Sequence, residues 1–465
     1  METIFTRLLT LRNKPNIILI VIDTLRADHL SCYGYFRETS PNIDRLAKEG
    51  VLFKGSHAAA IPTGPGFTSI ITGLHPIHHH YYLTPWNIPN LIDFDDSIPT
   101  LPEIIQDEVG GYTTAAFDNL VNFASHMDHF VRGFEFYINA SKTSRPIHHH
   151  LRGDKINERL IPWLKEHKYE DFFVFIHYWD PHTPYNQPEE FKEIFHHKAG
   201  RLDDLKVEKT PAGYEYVPGW GKVGDLWEPD PSSGKPTIDL YDGEIRFVDS
   251  LVGEVMEALE RFGLSEKTVV IITSDHGEQL GQHGLYDHRG LHESVVHIPL
   301  IFWAPTLLPA NVVIEGYVQQ VDIAPTILQL MGLKKDKIKN FDGISLLSAM
   351  NGESQVRDEI IIENHEQRAI LSGKWKYIIN YFEKTEELYN MEDDPIEILN
   401  LVSINDEVTT LLREKITSWV RNNLGDHPDP MWLQVAKWAQ SWTRIFKRNL
   451  QDLKPKPTLI KGIDI

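Results

Sequence analysis

Three apolar runs in this chain each end in groups that could ligate a metal ion. Asp23 follows Asn16–Ile22, Asp180 and His182 follow Phe172–Trp179, and Asp275 and His276 follow Thr268–Thr273. For one Asp alone, a helix cap or turn would be an adequate explanation. Three such ends on three buried strands point instead to a shared site, because ligands of parallel sheets bind at the carboxyl ends of strands. A fourth element is the turn Ile61-Pro62-Thr63-Gly64-Pro65-Gly66-Phe67, followed by a short helix expected over Thr68–Thr72. It sets one hydroxyl at the mouth of a helix, where free N–H groups and the helix dipole favour an anion such as a phosphoryl or sulfuryl group.

The elements that must position these groups follow from hydrophobic patterning. The three runs are rich in β-branched and aromatic residues and continuous, as in strands buried on both faces of a parallel sheet. Helical patterns lie between them, over Ile43–Glu49, Pro102–Glu108 and Ile238–Phe262. This alternation predicts a doubly wound α/β sheet with helices on both faces. Residues 198–236, rich in Gly, Pro and charge, read as a long insertion that either covers a site or is a plain surface loop. Past Gly343 the pattern changes. Short strands over Ile360–Ile362, Arg368–Ser372 and Lys376–Tyr381, with a helix over Glu407–Leu424, predict a small antiparallel sheet under one covering helix. Trp432, Val435, Ala439, Trp442 and Phe446 then fall at helical spacing, a packing stripe that would face this chain or a second subunit. The division expected is a catalytic region 1–345, a small subdomain 346–425 and a helical extension 426–465, the last a candidate homo-oligomer contact.

Composition removes several function classes. The 465 residues carry 46 Lys+Arg against 66 Asp+Glu, a net charge of −20, which argues against binding a nucleic-acid backbone. A single cysteine, Cys32, rules out an intramolecular disulfide framework and suits a reducing compartment. With no apolar run of signal-peptide or membrane-spanning length, a cytoplasmic protein without a membrane span is expected. The triplets His78–His80 and His148–His150 are internal, and three adjacent histidines cannot all point one way, so most of them should lie in loops or at the surface.

Taken together, several segments resemble the sulfatase branch of the alkaline phosphatase superfamily. They are Asn16–Asp23, the Thr63–Gly73 turn, Gly111-Tyr112-Thr113-Thr114, Asp180-Pro181-His182-Thr183-Pro184-Tyr185 and Ser274-Asp275-His276-Gly277-Glu278. Gly281, His283, Gly284, Glu293-Ser294, Lys374-Trp375-Lys376-Tyr377 and Glu387-Leu388-Tyr389-Asn390 continue the likeness, in the family's order, across about residues 15–420. The resemblance implies an alkaline phosphatase-like fold. It also makes Asp23, Asp275 and His276 ligands of a divalent metal, puts Thr63 where the family keeps its nucleophile, and makes His182 a residue touching the transferred group or protonating the leaving group.

Departures from the family pattern carry as much information. The family places Cys or Ser at the nucleophile and an Arg four residues on, and oxidises the former to formylglycine. This chain has Thr63 and Phe67. Oxidising a threonine would give a ketone, so that route is closed. Two family lysines are replaced, one near Asn119 and one at His288, and Thr24 replaces the second Asp after the first strand. Threonine at the nucleophile resembles the superfamily's phosphodiesterases and phosphonate hydrolases. A divalent cation lowers the pKa of an adjacent hydroxyl or water by several units (for water from 15.7 to about 7 on zinc), so Thr63 could join the ligand set and attack phosphorus to give a phosphothreonine. Carboxylate plus imidazole suits Mn²⁺ or Zn²⁺ better than Ca²⁺. One ion is expected. A second would draw on Asp180, His182 and either His288 or His292; otherwise His182 and His288 contact substrate oxygens or the leaving group. Asn119, Asp180 and His292 are candidate substrate contacts, and His283 a support for the metal loop. The expected function is a metal-dependent hydrolase of phosphodiesters or phosphonate monoesters. Sulfate-ester hydrolysis through Thr63, phospho-group transfer and a silent binding homologue are the alternatives.

Overall fold

A computed structural model describes residues 14–82, 94–118, 128–139, 151–195, 207–222, 237–334, 336–337, 340–353 and 356–432. The main sheet has eight strands: β1 (Asn16–Ile22), β2 (Val51–His57), β3 (Thr113–Phe117), β4 (Phe136–Ile138), β5 (Phe172–Tyr178), β6 (Thr268–Thr273), β7 (Leu300–Trp303) and β8 (Val312–Gln319). Their order is β8-β2-β7-β6-β1-β5-β3-β4, and β7 alone runs antiparallel to its neighbours. The three runs that carry the candidate ligands are the adjacent central strands β6, β1 and β5, and each is buried along its whole length.

Alternation along β1 explains why both faces are covered. Ile18, Ile20 and Ile22 join one core with α1 (Pro41–Glu49), α3 (Gly153–Glu166) and α4 (Thr237–Arg261). Ile17, Leu19 and Val21 join the other with α2 (Thr63–Thr72) and α5 (Ile323–Leu330). This is the alkaline phosphatase-like α/β fold the sequence suggested. Two expected helices differ in detail. The segment expected as one helix over Pro102–Glu108 is a single α-turn, Leu101–Ile104, continued by a wider π-turn over Ile105–Val109. The helix expected at Thr68 begins at Thr63, which puts the hydroxyl inside its first turn.

The C-terminal sheet runs β9 (Glu359–Glu363), β10 (Gln367–Ser372), β11 (Trp375–Asn380) and β12 (Thr385–Asn390), all antiparallel. The last strand was not anticipated as one. Leu412 and Ile416 of α6 (Asp406–Leu424) cover one face through Ile370, Tyr377 and Leu388. The other face packs Ile360, Ile362 and Ile378 against Ala58, Ile61 and Val295, so the subdomain backs the Thr63 turn. Of the expected extension, Trp432 lies 5.7 Å from the Tyr381 ring and Asp429 pairs with the buried Arg368. Val435, Ala439, Trp442 and Phe446 lie outside the described residues.

Within the insertion, residues 207–222 form a small three-stranded sheet. Its buried Trp220 donates to the Tyr35 hydroxyl at 2.8 Å, and the Gly219 carbonyl accepts from Arg26 and His29. Among the described residues, no helix is long and apolar enough to cross a membrane.

Candidate active site

Register brings the first ligands together. The Asp23 N–H donates to the Tyr178 carbonyl at 2.9 Å, and Val21 pairs with Thr273, two residues before Asp275. Asp23, Asp275 and His276 each offer a ligand atom within 4.8 Å of the other two, all fully buried. In each residue one atom is pinned and another left open. Asp275 Oδ1 accepts from the N–H groups of Thr24 (3.1 Å) and His276 (2.8 Å), while its Oδ2 has no hydrogen-bond partner. Asp23 Oδ2 faces His177, and its Oδ1 is likewise unpartnered. His276 donates Nδ1–H to the Gly277 carbonyl at 2.8 Å, which turns Nε2 inward as an acceptor.

Buried acceptors without donors are costly, and two carboxylates plus a neutral imidazole form the ligand set of a divalent cation. Titration behaviour agrees. Burial, then repulsion from Asp275, pushes the Asp23 carboxyl up to about 7. Burial, against the pull of Asp275, lowers His276 to about 4 and keeps its imidazole neutral. The residues fit the ion. The backbone is shaped for the same purpose: a Cβ on Gly66 would stand 3.0 Å from the Asp275 carbonyl oxygen, a tight contact that glycine avoids where α2 approaches the ligand loop. Gln320 donates to the carbonyls of Ser274 and Asp275 while accepting from the Ala59 N–H, and so ties the ligand loop to the segment between β2 and the turn.

Thr63 Oγ1 lies 3.1 Å from His276 Nε2, at the mouth of this cluster. Beyond it stand two more histidines, with the His288 ring centroid 4.5 Å from that of His276 and 5.1 Å from that of His182. Burial works against charge on His288. The Glu278 carboxylate, 3.8 Å from Nδ1, and the charges of Asp23 and Asp275 override it and raise the imidazole to about 9. Glu278 itself is buried, which raises its carboxyl despite His288. His182 donates Nδ1–H to the Thr183 carbonyl at 2.6 Å, and its ring centroid lies 4.8 Å from that of Trp179.

A sulfatase family model matches residues 15–333. The chain belongs to the sulfatase family. A second model, for the C-terminal region of N-sulphoglucosamine sulphohydrolase, matches residues 281–422. A sulfatase of Formosa agariphila is 27% identical over 438 residues, 83% of each chain. One solved structure, a complex with its substrate D-glucosamine-2-N,6-O-disulfate, has a TM-score of 0.71 at 20% identity and covers 90% of this chain and 99% of that one. The phosphonate monoester hydrolase of Agrobacterium radiobacter gives a TM-score of 0.70 at 21% identity, over 88% and 96%. Hydrolysis of sulfate and phosphate esters with a divalent metal is the family's chemistry.

Within this sulfatase fold, several expected site residues do other work. Asp180 Oδ2 accepts the Gly153 N–H at 2.8 Å at the start of α3, and its carboxyl is pushed up to about 6 by burial. It is thus a helix cap, the ordinary alternative for an Asp at a strand end. Glu244, raised to about 9 by burial and by Asp180, accepts from the N–H groups of Asn186 and Gln187 and so anchors the loop that carries His182. His292 hydrogen-bonds Glu387 at 2.8 Å and stacks on His283 at 3.9 Å, facing the C-terminal subdomain. With Asp180 and His292 so engaged, the proposed second ion lacks its ligands; among the described residues, only the Asp23 cluster has metal-site geometry. His78 pairs with Asp342 at 2.7 Å, His79 with Ser69 at 3.2 Å, and His80 ends its helical turn with φ 59°. Asn119 and His148–His150 lie outside the described residues.

Two residues that sequence reasoning passed over stand close to the ligands. His177 places Nε2 3.3 Å from Asp23 Oδ2 and Nδ1 2.6 Å from Asp118 Oδ1. Burial opposes its charge, yet Asp118 and Asp23 raise it to about 10. The Phe67 ring packs edge-on against His177 at 4.7 Å, so the residue in place of the family arginine supports a cationic imidazole. The one available signal was a lone imidazole in an otherwise apolar strand.

Proposed function

We propose that this chain is a metal-dependent hydrolase of phosphodiesters or phosphonate monoesters, with Thr63 as its nucleophile. The observation that carries the reading is Thr63 Oγ1 at 3.1 Å from the open nitrogen of His276, beside the unpartnered oxygens of Asp23 and Asp275. A bound divalent cation would supply the charge that favours the deprotonated hydroxyl and offsets that of the substrate oxygens. Thr63 loses its proton to solvent and its oxygen attacks phosphorus. The phosphorus–oxygen bond to the leaving group breaks, and that oxygen takes a proton delivered through His182 Nε2. Water then attacks the phosphothreonine at phosphorus, freeing Thr63 and the product. His288, held cationic by Glu278, faces the non-bridging oxygens in place of a lysine. One imidazolium instead of two lysines suits a singly charged ester better than a dianion. Mn²⁺ or Zn²⁺ is favoured by the mixed carboxylate–imidazole set.

A second reading, hydrolysis of sulfate esters through the same threonine, draws on the names of the relatives. Rates on bis-p-nitrophenyl phosphate, p-nitrophenyl phenylphosphonate and p-nitrophenyl sulfate, with Mn²⁺ or Zn²⁺ supplied, separate the two. The phosphorus esters should show the higher kcat/KM, and a higher value for the sulfate would overturn the first reading. Thr63→Ala should lose activity on the order of 10³-fold or more and keep its melting temperature. Retained turnover would remove Thr63 as the nucleophile.

A further inference from the structure

The cation cluster is held in place by a string of side chains that continues away from it into the sheet. Tyr137 on β4 donates its hydroxyl to Asp118 Oδ2. Asp118, just past β3, meets His177 Nδ1 with its other oxygen at 2.6 Å, and His177 Nε2 reaches Asp23 Oδ2 at 3.3 Å. Asp118, His177 and Asp23 are all buried. The two ring nitrogens face carboxylate oxygens, which can only accept, so His177 is a donor at both ends. This matches the treatment of the other ligands. The backbone pins Asp275 Oδ1 and His276 Nδ1, whereas for Asp23 the donor to Oδ2 is a side chain, His177 on β5, held in turn by Asp118 at the end of the neighbouring β3. In each case the effect is to aim the remaining atom at the same point.

Resting on the metal-site reading above, we infer that His177 and Asp118 are positioning residues that orient Asp23 for its cation. Neither belongs to the ligand set itself. His177 fixes which Asp23 oxygen is spent on the protein and which is left for the ion, and Asp118 fixes the His177 ring. Phe67, edge-on to that ring, keeps it from rotating out of line. Partners of this kind beyond the ligands themselves typically change metal affinity by about 10–100-fold.

The test uses the full chain, stripped of metal with a chelator and titrated with Mn²⁺ by calorimetry, beside its melting temperature. The set comprises wild type, His177→Gln, Asp118→Asn, the double variant and Asp23→Asn. His177→Gln should bind Mn²⁺ about 10–100-fold more weakly at unchanged stoichiometry. Asp118→Asn should weaken binding in the same direction, and the double variant should be no weaker than His177→Gln, because one string is cut either way. Should His177→Gln fail to fold, the milder Asp118→Asn decides alone. A folded His177→Gln that binds Mn²⁺ within twofold of wild type overturns the inference, as does Asp118→Asn at wild-type affinity. A wild-type chain that binds neither Mn²⁺ nor Zn²⁺, indistinguishable from Asp23→Asn, overturns the metal-site reading itself.

Discussion

Two buried charge clusters lie on either side of the ligand loop, and they are balanced in opposite ways. In the C-terminal clasp, Lys376 sits between Glu293 (2.8 Å) and Glu397 (2.7 Å), and His57 meets the second oxygen of Glu293 at 3.2 Å. Each carboxylate there faces a cation. At the other cluster Asp23 and Asp275 approach each other with a neutral imidazole between them and an unpartnered oxygen on each. Burial opposes charge in both, and what differs is the counter-charge. The clasp is complete within the chain, while the ligand cluster is complete only with a cation added. Neither buried charge nor an unpartnered oxygen identifies a site alone, since Glu278 and Glu244 also carry such oxygens; three ligand atoms within 4.8 Å of one another with no cation among them do.

The comparison breaks most sharply under paired substitutions. Asp275→Asn should cut turnover on the order of 10³-fold, since it removes a ligand of the ion that stabilises charge at the reacting centre, while the metal-free chain stays as stable as wild type or becomes more so. Lys376→Met should do the reverse. Stranding two carboxylates costs about 3–5 kcal/mol, and activity per folded molecule should persist. Thermal melts of metal-free protein, with kcat normalised to folded fraction, read both. Lost stability in Asp275→Asn with no loss of rate would show that the acidic cluster is structural.

Acid sensitivity sharpens the same contrast, with opposite signs. Burial would raise Glu293, but Lys376 and His57 hold it well below the ordinary carboxylate range. Its contribution is present above the unfolded pKa near 4.3 and is lost as pH falls toward the folded value. Asp23 is raised to about 7 in the metal-free chain. Its contribution is present in acid, below the unfolded value near 3.9, and is lost as pH rises through about 7. Metal-free protein should thus lose melting temperature between about pH 4 and 7. Asp180 and Glu244, also raised by burial, add to that slope, so Asp23→Asn should reduce it without removing it, and Mn²⁺ should reduce it in wild type. A slope left unchanged in Asp23→Asn would assign it wholly to other groups.

How much of this was legible in the chain depended on whether a residue's role is set locally. Runs such as Thr268–Thr273 declare buried strands by composition, and the order of strand, ligand and turn put Asp23, Asp275, His276 and Thr63 together without coordinates. Asp180 carried the same local signature as Asp23 yet caps α3, because Gly153 happens to end beneath it, and nothing near residue 180 records that contact. His177 failed in the other direction. It occupies an interior strand position, and its meaning comes from Asp118 and Asp23, 59 and 154 residues away. The fourth strand of the C-terminal sheet was hidden by its polar start, Thr385-Glu386-Glu387, which faces Arg413 and His292 rather than the core.

The smallest effect belongs to the histidine triplet, a control for both clusters. His78 and Asp342 form a pair at 2.7 Å whose side chains are 33% and 20% exposed. Asp342, with burial opposing, raises the His78 imidazole above its usual value, so the pair's contribution is present below the unfolded pKa near 6.5 and fades as pH rises past the folded one. Being partly solvated, it should be worth less than about 1 kcal/mol. His78→Gln should accordingly lower the melting temperature slightly at pH 6 and not at pH 9, with kcat/KM and Mn²⁺ affinity unchanged. A fall in Mn²⁺ affinity would mean that charge outside the Asp23 cluster reaches the ion, and the separation between clasp and ligand cluster would have to be redrawn.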